Sequence, residues 1–232
     1  MPGKTETPGR ERKGHTVKEF DRELDKLSHL VLTMGCKVGE QLKLATRAVK
    51  ERDADAAAAA RAMDDEVNAL EDSIDENTLR LLALRNPMAQ DLRAVIVAGK
   101  LATDLERMGD YCSNLAKMTQ RLDGRALDLF RAHLGLMADE VGSMLTQILE
   151  AVAREDVELA LRVWHRDKAV NTLYKEFIAL LTRHMCEDQS LSESLSRLLN
   201  AARGLERMGD HITNLAEHVY FLVHGSKYRE ES

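Results

Sequence analysis

The segment LERMGDYCSNLA occupies residues 105–116, and the segment LERMGDHITNLA occupies residues 205–216. Nine of the twelve positions are identical at an offset of 100 residues. Self-similarity at a fixed spacing indicates a duplicated structural unit. The chain is therefore interpreted as one unit of about 100 residues that is present twice.

Matches outside this segment extend the repeat towards the amino terminus. At an offset of 103 residues, six apolar or glycine positions agree: Met34, Val38, Gly39, Leu42, Ala48 and Val49 correspond to Met137, Val141, Gly142, Leu145, Ala151 and Val152. A second set agrees at the same offset: Asp53, Ala57, Asp64, Val67 and Asn68 correspond to Asp156, Ala160, Asp167, Val170 and Asn171. The change of offset places a three-residue difference between the second and third elements of the unit.

The composition favours helices throughout. Pro2 and Pro8 lie in the first eight residues, so Pro87 is the one proline in the rest of the sequence. An all-β or α/β chain of 232 residues would need a turn about every 8–15 residues, with proline and glycine signals to match, and these are missing. Apolar residues at 3–4 spacing instead predict long helices.

Each unit is predicted to contain three helices, which gives an all-α fold of two tandem, pseudo-repeated three-helix bundles with six long antiparallel helices. The predicted units span residues 16–122 and 123–226, after a disordered tail at 1–15. Asp53 and Asp156 are predicted to cap the second helix of each unit, and Ser190 with Glu193 to form a capping box before the last helix. Pro87 is expected in the first turn of the third helix.

Charge and cysteine content narrow the class of protein. The net charge is -6 and aromatic residues make up 4% of the chain, which argues against a nucleic-acid partner. No apolar run approaches the roughly 18 residues of a membrane span. The three cysteines have no zinc or redox spacing, so reduced thiols and a cytoplasmic location are expected.

Acidic and amide residues recur every four positions in the third helix of each unit, and four residues apart in the second helix. Side chains at i, i+4 and i+8 share one helix face, so neighbouring helices would form an oxygen-rich surface suited to Mg²⁺, Mn²⁺ or iron. The candidate metal ligands are Glu106, Asp110, Asn114, Glu206, Asp210, Asn214, Asp64, Asn68, Asp167 and Asn171.

A salt-bridged surface is the alternative interpretation of these rows. Arg107 and Arg207 precede Asp110 and Asp210 by three residues, and Arg203 can pair with Glu206, whereas Glu106 has no cation at i±3 or i±4. The agreement between units is concentrated on the polar row, which favours a shared function for the row. Gly109 and Gly209 in the same helices indicate close approach of a neighbouring helix or a ligand, because glycine costs about 1 kcal/mol inside a helix.

Enzymatic motifs are not found. No histidine follows an acidic residue at the Glu-x-x-His spacing of di-iron bundles, and no phosphate-binding loop or nucleophile turn occurs. His211, next to Asp210, is a candidate phosphoryl acceptor in an alternative function as a helical phosphotransfer or metal-handling protein. Its counterpart in the first unit is Tyr111, and a histidine at a surface or interface is the simpler interpretation.

With these motifs in view, the chain resembles the PhoU family of phosphate-transport regulatory proteins. The duplicated LERMGDxxxNLA segment is similar to the family signature Glu-Arg-x-Gly-Asp-x-x-x-Asn, which the family also carries twice. Asn86-Pro87 followed by Asp91-Leu92-Arg93 is similar to the family pattern before the third helix. The resemblance covers about residues 16–225.

The resemblance implies a cytoplasmic, non-enzymatic negative regulator of the phosphate-starvation response and phosphate uptake. Such a protein would be a homodimer or higher oligomer that couples the ATPase subunit of the phosphate ABC transporter to a sensor histidine kinase, and it would reach the membrane only through protein partners. The family also implies bound metal ions (Mg, Mn, Fe or Zn), with Glu106, Asp110, Glu206 and Asp210 as the main ligands. Asp64, Asn68, Asp167 and Asn171 are expected as co-ligands, and Asn114 and Asn214 as further candidates.

The two units differ at one acidic pair. Glu71 and Asp75 are four residues apart in the first unit, but the aligned positions in the second unit are Tyr174 and Ile178. The first carboxylate surface is therefore expected to be richer in oxygen ligands, with unequal metal occupancy of the two sites.

Overall fold

Six α-helices build the protein in the computed structural model, which describes residues 10–85, 87–122 and 124–230. They are α1 (Arg10–Glu51), α2 (Ala54–Arg85), α3 (Gln90–Thr119), α4 (Gly124–Arg154), α5 (Val157–Glu187) and α6 (Ser192–His224), with a 3₁₀ turn at Gln189–Leu191. No strand occurs in these ranges, and the all-α prediction is confirmed. Within the same ranges, no helix combines the length and apolarity that crossing a membrane requires.

The helices pack as two three-helix bundles placed side by side. Helices α1, α2 and α3 contact one another, and so do α4, α5 and α6. The bundles meet where α1 packs against α4 and where α3 packs against α6. Short connections make consecutive helices antiparallel. The interface between the bundles is therefore formed by the first and third helices of each unit.

Glycine contacts in this interface show that the two bundles are related by an approximate two-fold axis. A Cβ atom on Gly39 would lie 3.9 Å from Leu145 Cδ2, and one on Gly142 would lie 3.7 Å from Leu42 Cδ2. The contacts are reciprocal, because Gly39 and Leu42 correspond to Gly142 and Leu145 in the repeat. Reciprocal contacts of this kind define a two-fold interface.

The first turns of α2 and α5 are held by the aspartates that were predicted to cap them. Asp53 Oδ1 accepts a hydrogen bond from the amide of Ala56 at 2.9 Å. Asp156 Oδ1 accepts one from the amide of Leu159, also at 2.9 Å. Equivalent caps therefore start equivalent helices, and they fix where the carboxylate rows of α2 and α5 begin.

Two predicted helix starts differ from those observed. Helix α1 begins at Arg10, so residues 10–15 of the predicted tail are helical, while residues 1–9 lie outside the described ranges. Helix α3 begins at Gln90, so Pro87 precedes the helix instead of lying in its first turn.

The predicted capping box of Ser190 and Glu193 is wrong. Asp188 Oδ1 accepts hydrogen bonds from the amide of Ser190 at 3.0 Å and from its hydroxyl at 2.6 Å. Glu193 pairs with Arg197 at 2.5 Å. Because Asp188 opens a 3₁₀ turn, α6 starts at Ser192, after that turn.

Candidate functional site

The first group of predicted ligands lies where α3 packs against α2. Glu106 and Asp110 share one face of α3, Asp64 belongs to α2, and all three are partly buried. Burial and the charges of Asp110 and Asp64 raise the pKa of Glu106, while the charge of Arg107 lowers it. The balance is a raised pKa, which means that the ionised carboxylate lacks sufficient positive charge nearby.

Another carboxylate of α2 extends this surface. Burial raises the pKa of Glu71, and the charges of Glu106 and Asp75 raise it further. Glu71, from the extra acidic pair of the first unit, therefore lies close enough to the predicted ligand Glu106 to interact with it electrostatically. The name first patch is used below for Asp64, Glu71, Glu106 and Asp110.

Gln41 of α1 is a component of the first patch that the sequence did not reveal. Its side chain is fully buried, and its Nε2 donates to the Ala60 carbonyl at 3.0 Å and to Asp64 Oδ1 at 3.2 Å. Its Oε1 is buried and has no hydrogen-bond partner among the described residues. The sequence signal was a polar residue directly before Leu42, one of the apolar positions that recur in the second unit. A buried oxygen that has no hydrogen-bond partner and lies next to a carboxylate could coordinate a cation.

The second patch (Asp167, Glu206 and Asp210) lies at the equivalent place between α5 and α6. Burial, followed by the charges of Asp210 and Glu206, raises the pKa of Asp167 to about 6. A hydrogen bond from Asn171 Nδ2 to Asp167 Oδ2, 2.6 Å long, acts in the opposite direction. Burial and the charge of Asp210 also raise the pKa of Glu206. Both patches thus contain carboxylates that destabilise one another.

The two helix-interior glycines are placed where the second helix of each unit approaches the third. A Cβ atom on Gly109 would lie 3.1 Å from Val67 Cγ1 and 3.2 Å from Gln41 Oε1. A Cβ atom on Gly209 would overlap Asp167 Oδ1. Close helix approach is therefore the reason for both glycines, and it is also what brings the two carboxylate rows together.

The arginines beside these rows do not neutralise them. Arg107 Nε lies 3.6 Å from Glu106 Oε2, and Arg207 lies 3.8 Å from Asp210 and 4.0 Å from Glu206. The Arg107 and Arg207 side chains are 59% and 50% exposed, so each pair contributes little. The salt-bridge interpretation does not account for the raised pKa values of the carboxylates.

The donor set of the first patch fits a hard divalent or trivalent cation, because it offers carboxylate oxygens and the orphaned Gln41 Oε1. Among the residues that the structure describes, however, no three histidine, cysteine or acidic side chains converge closely enough to hold a metal ion. The helix backbones bring the oxygen-bearing residues of the first patch to one surface. Their side chains would have to rotate to complete a coordination shell.

The predicted amide ligands divide into two groups. Asn171 contacts the second patch through Asp167, and Asn68 is exposed on α2. Asn114 and Asn214 have their contacts at the α3–α6 interface instead: Asn114 lines a cavity there, and Asn214 Nδ2 donates to Asp104 Oδ1 at 3.1 Å.

Asp104 is a second residue that the sequence did not reveal. It is 9% exposed and accepts hydrogen bonds from His211 Nδ1 at 2.7 Å and from His218 Nε2 at 3.2 Å, besides the one from Asn214. Burial raises the pKa of Asp104, but the hydrogen bonds from His211, His218 and Asn214 outweigh burial and hold the pKa well below its usual range. The ionised carboxylate accepts only, so His211 carries its proton on Nδ1. His211 is thus an interface histidine.

The chain is similar to known proteins along most of its length. The PhoU domain family matches residues 31–119 and 134–219, one segment in each bundle. A Pseudomonas aeruginosa protein named phosphate-specific transport system accessory protein PhoU homolog is 38% identical over 222 residues, which cover 93% of this chain and 89% of the relative. The Escherichia coli phosphate-specific transport system accessory protein PhoU is 33% identical over 215 residues, with 93% and 89% coverage.

Solved structures agree with the sequence relatives. The crystal structure of PhoU from Pseudomonas aeruginosa has a TM-score of 0.82 at 36% identity, covering 89% of this chain and 100% of that chain. The phosphate transport system regulatory protein PhoU from Streptococcus pneumoniae has a TM-score of 0.81 at 29% identity, with 90% and 99% coverage. The paired family segments, the identities and the shared fold together show that this chain belongs to the PhoU family.

Proposed function

We propose that this protein is a regulatory accessory of a phosphate transport system and acts through protein contacts, without catalysing a reaction. The observation that carries the proposal is its similarity, over 93% of the chain, to relatives named as phosphate-specific transport system accessory proteins. The finer proposal is negative regulation: the protein keeps the phosphate-starvation response off when phosphate is plentiful.

The proposed partners are the ATPase subunit of the phosphate ABC transporter and a sensor histidine kinase, met on the cytoplasmic side of the membrane. A homodimer is proposed as the working form. Exposed leucines support contact with other proteins, since Leu129 and Leu136 are 45% and 57% exposed and lie seven residues apart on one face of α4.

Metal ions are proposed to occupy both patches. Asp64, Glu106 and Asp110, with Glu71 and Gln41, would hold a cation in the first patch; Asp167, Glu206 and Asp210 would hold one in the second. A bound Mg²⁺, Mn²⁺, iron or Zn²⁺ ion would supply positive charge that links α2 to α3, or α5 to α6. The raised pKa values of Glu106 and Asp167 support this proposal, because nearby positive charge does not offset burial and the charges of the neighbouring carboxylates.

The regulatory proposal is tested in cells from which the gene has been deleted, using a reporter of the phosphate-starvation response in high phosphate. Wild-type protein should silence the reporter and co-purify with the transporter ATPase. The control variant E158Q/E176Q, which removes two exposed carboxylates of α5 outside the second patch, should silence the reporter as the wild type does. If the deletion strain keeps the reporter silent, the proposal of negative regulation is wrong.

The metal proposal is tested separately on purified protein. Elemental analysis should find metal after expression, and calorimetry should detect two Mn²⁺ sites in E158Q/E176Q, one of which is weakened at least tenfold in E106Q/D110N. Equal binding by both variants would show that the first patch is not the metal site.

The alternative function, phosphotransfer through His211, has its own readout. The hydrogen bond between Nδ1 and Asp104 orients the ring, so Nε2 is the nitrogen that could accept a phosphoryl group. Acid-labile label taken up from a labelled phosphodonor, and lost in H211A, would favour phosphotransfer over regulation by contact alone.

A further inference from the structure

A cavity of about 540 Å³ lies between the carboxyl-terminal half of α3 and the amino-terminal half of α6. None of the patch carboxylates lines it, although Arg207 contacts both the cavity and the second patch. Five cationic side chains line it, and none of the described residues that line it is acidic: Lys117, Arg121, Arg197, Arg203 and Arg207. We call these five cations and the space between them the basic cleft.

The carboxylates of the described residues neutralise the five cations only in part. Arg197 pairs with Glu193 at 2.5 Å, and Arg207 makes only the long contacts described above. The charge of Arg203 acts on Glu206, whose pKa it lowers. Lys117 and Arg121 form no ion pair within the described part of the chain. In a protein with a net charge of -6, five cations around one cavity, two of them unpaired among the described residues, are a local reversal of sign.

The approximate two-fold axis places an equivalent region at the other end of the α3–α6 interface, where Asp104 corresponds to Gly204. That region is occupied by the Asp104 carboxylate and the three groups that donate to it. We call it the closed end. The donors there, His211, Asn214 and His218, correspond to Tyr111, Asn114 and Met118, all of which line the basic cleft.

Gly204 is what keeps the basic cleft open. A Cβ atom at this position would lie 3.4 Å from Tyr111 Cδ1, an ordinary contact distance, so a larger side chain would extend into the space between the helices. At the closed end the same position carries an anion of the protein itself. In the basic cleft that anion is missing, while the surrounding positive charge is greater.

We propose that the basic cleft binds a small phosphorylated anion with at least two negative charges, which takes the place that the Asp104 carboxylate holds at the closed end. Arginine pairs with phosphate oxygens in a bidentate manner, and several arginines favour a multiply charged group. The volume lies within the roughly 300–1,000 Å³ of small-molecule sites. The Tyr111 ring, Leu115 and Met118 supply an apolar wall, which can accept the organic part of a phosphate ester.

Binding would join the two bundles, because Lys117 lies in the last turn of α3 and Arg121 in the turn that follows it, whereas Arg197, Arg203 and Arg207 belong to α6. The bound anion would therefore stabilise the packing of one unit on the other. The phosphate group can come from inorganic phosphate, from tripolyphosphate or from a nucleotide, and the measurement has to separate these sources.

The test is isothermal titration calorimetry of the metal-free full chain with inorganic phosphate, tripolyphosphate and ADP, each in a separate titration in low salt. Removal of metal prevents anions from binding through ions in the two patches. We expect saturable binding of at least one probe, weakened at least tenfold in R121Q/R203Q. The matched control is R162Q/K175Q, which removes two exposed cations of α5 and should bind as the wild type does.

A second variant supplies the missing anion directly. G204D introduces at the basic cleft the carboxylate that the closed end already has, and it should abolish binding while raising the melting temperature of the unliganded protein. The proposal is overturned if none of the three probes binds, if R162Q/K175Q weakens binding as much as R121Q/R203Q, or if G204D binds normally. Preference for ADP over tripolyphosphate would identify an organic phosphate ester, and the reverse would identify an inorganic one.

Discussion

The closed end and the basic cleft are equivalent regions of one interface, formed by the same two helices in exchanged roles. At the closed end the buried Asp104 carboxylate accepts three hydrogen bonds, whereas Gly204 leaves the basic cleft empty and surrounded by cations. Because the helices and their packing are the same, a few side chains determine whether the interface contains its own anion. The lesson is that a duplicated backbone can carry two different electrostatic environments.

The two patches contain similar carboxylates, but the side chains around them differ. Gln41 and Glu71 of the first unit align with Met144 and Tyr174 of the second. The first unit therefore places an amide and a carboxylate where the second has a thioether and a phenol. Substitutions at equivalent positions of the two units can therefore test what each difference contributes.

The largest effect is expected at Asp104. D104A leaves two histidines and an amide without their acceptor in a buried interface, and should lower the free energy of unfolding by about 2–4 kcal/mol. G204A, at the equivalent position, should raise it by up to about 1 kcal/mol because alanine favours the helix. Urea denaturation at pH 7 measures both variants, and equal losses would contradict the difference between the two ends.

Asp167 and Asp104 should have opposite effects on the pH dependence of stability. The folded-state pKa of Asp167 is raised from 3.8 to about 6, so between these values the folded chain holds a proton that the unfolded chain has lost. The free energy of unfolding should therefore fall as pH rises from about 4 to 6, by about 1–2 kcal/mol after allowance for solvent screening. Denaturation of the metal-free protein across this range should show the loss, and D167N should remove it.

Asp104 acts in the opposite sense. Its pKa is lowered, so the stability that it contributes is present above 3.8 and is lost as pH falls below that value. Wild-type protein should therefore lose stability on acidification below pH 4, and D104N should lose less. A profile of D104N that parallels the wild type would contradict the assignment.

Metal affinity should differ between the two patches. E71Q removes one carboxylate from the first patch and should weaken Mn²⁺ binding there by up to about tenfold, since charge count sets the affinity of oxygen sites. Y174F alters the aligned position in the second unit and should leave binding unchanged. Calorimetry with both variants tests this, and an equal effect of the two substitutions would show that Glu71 is not a ligand.

The smallest difference is expected where the two units are alike. D53A and D156A each remove an N-cap hydrogen bond of 2.9 Å and should each cost about 1 kcal/mol. Thermal denaturation of the two variants should give similar shifts. Unequal shifts would show that the partly exposed ion pair of Asp53 with Arg47, 3.0 Å long, adds to the cap of the first unit.

Features with a local origin could be predicted from the sequence. The helices and the Asp53 and Asp156 caps depend on residues within a turn or two, and the repeat identifies the order of the elements. Gln41 and Asp104 could not be predicted, because their partners lie on other helices, 23 residues away for Asp64 and 107 residues away for His211. The Ser190 capping box was a wrong prediction because Asp188, two residues earlier, accepts the hydrogen bonds of the Ser190 amide and hydroxyl.

The reciprocal contacts of Gly39 with Leu145 and of Gly142 with Leu42 are those of a symmetric dimer held within a single polypeptide. In a dimer of separate units, every substitution would appear on both sides of the axis, so both ends of the interface would be closed or both would be open. Covalent linkage makes the association intramolecular and concentration-independent. It also allows one copy to carry Asp104 while the other keeps Gly204, an asymmetry that no pair of identical chains can encode.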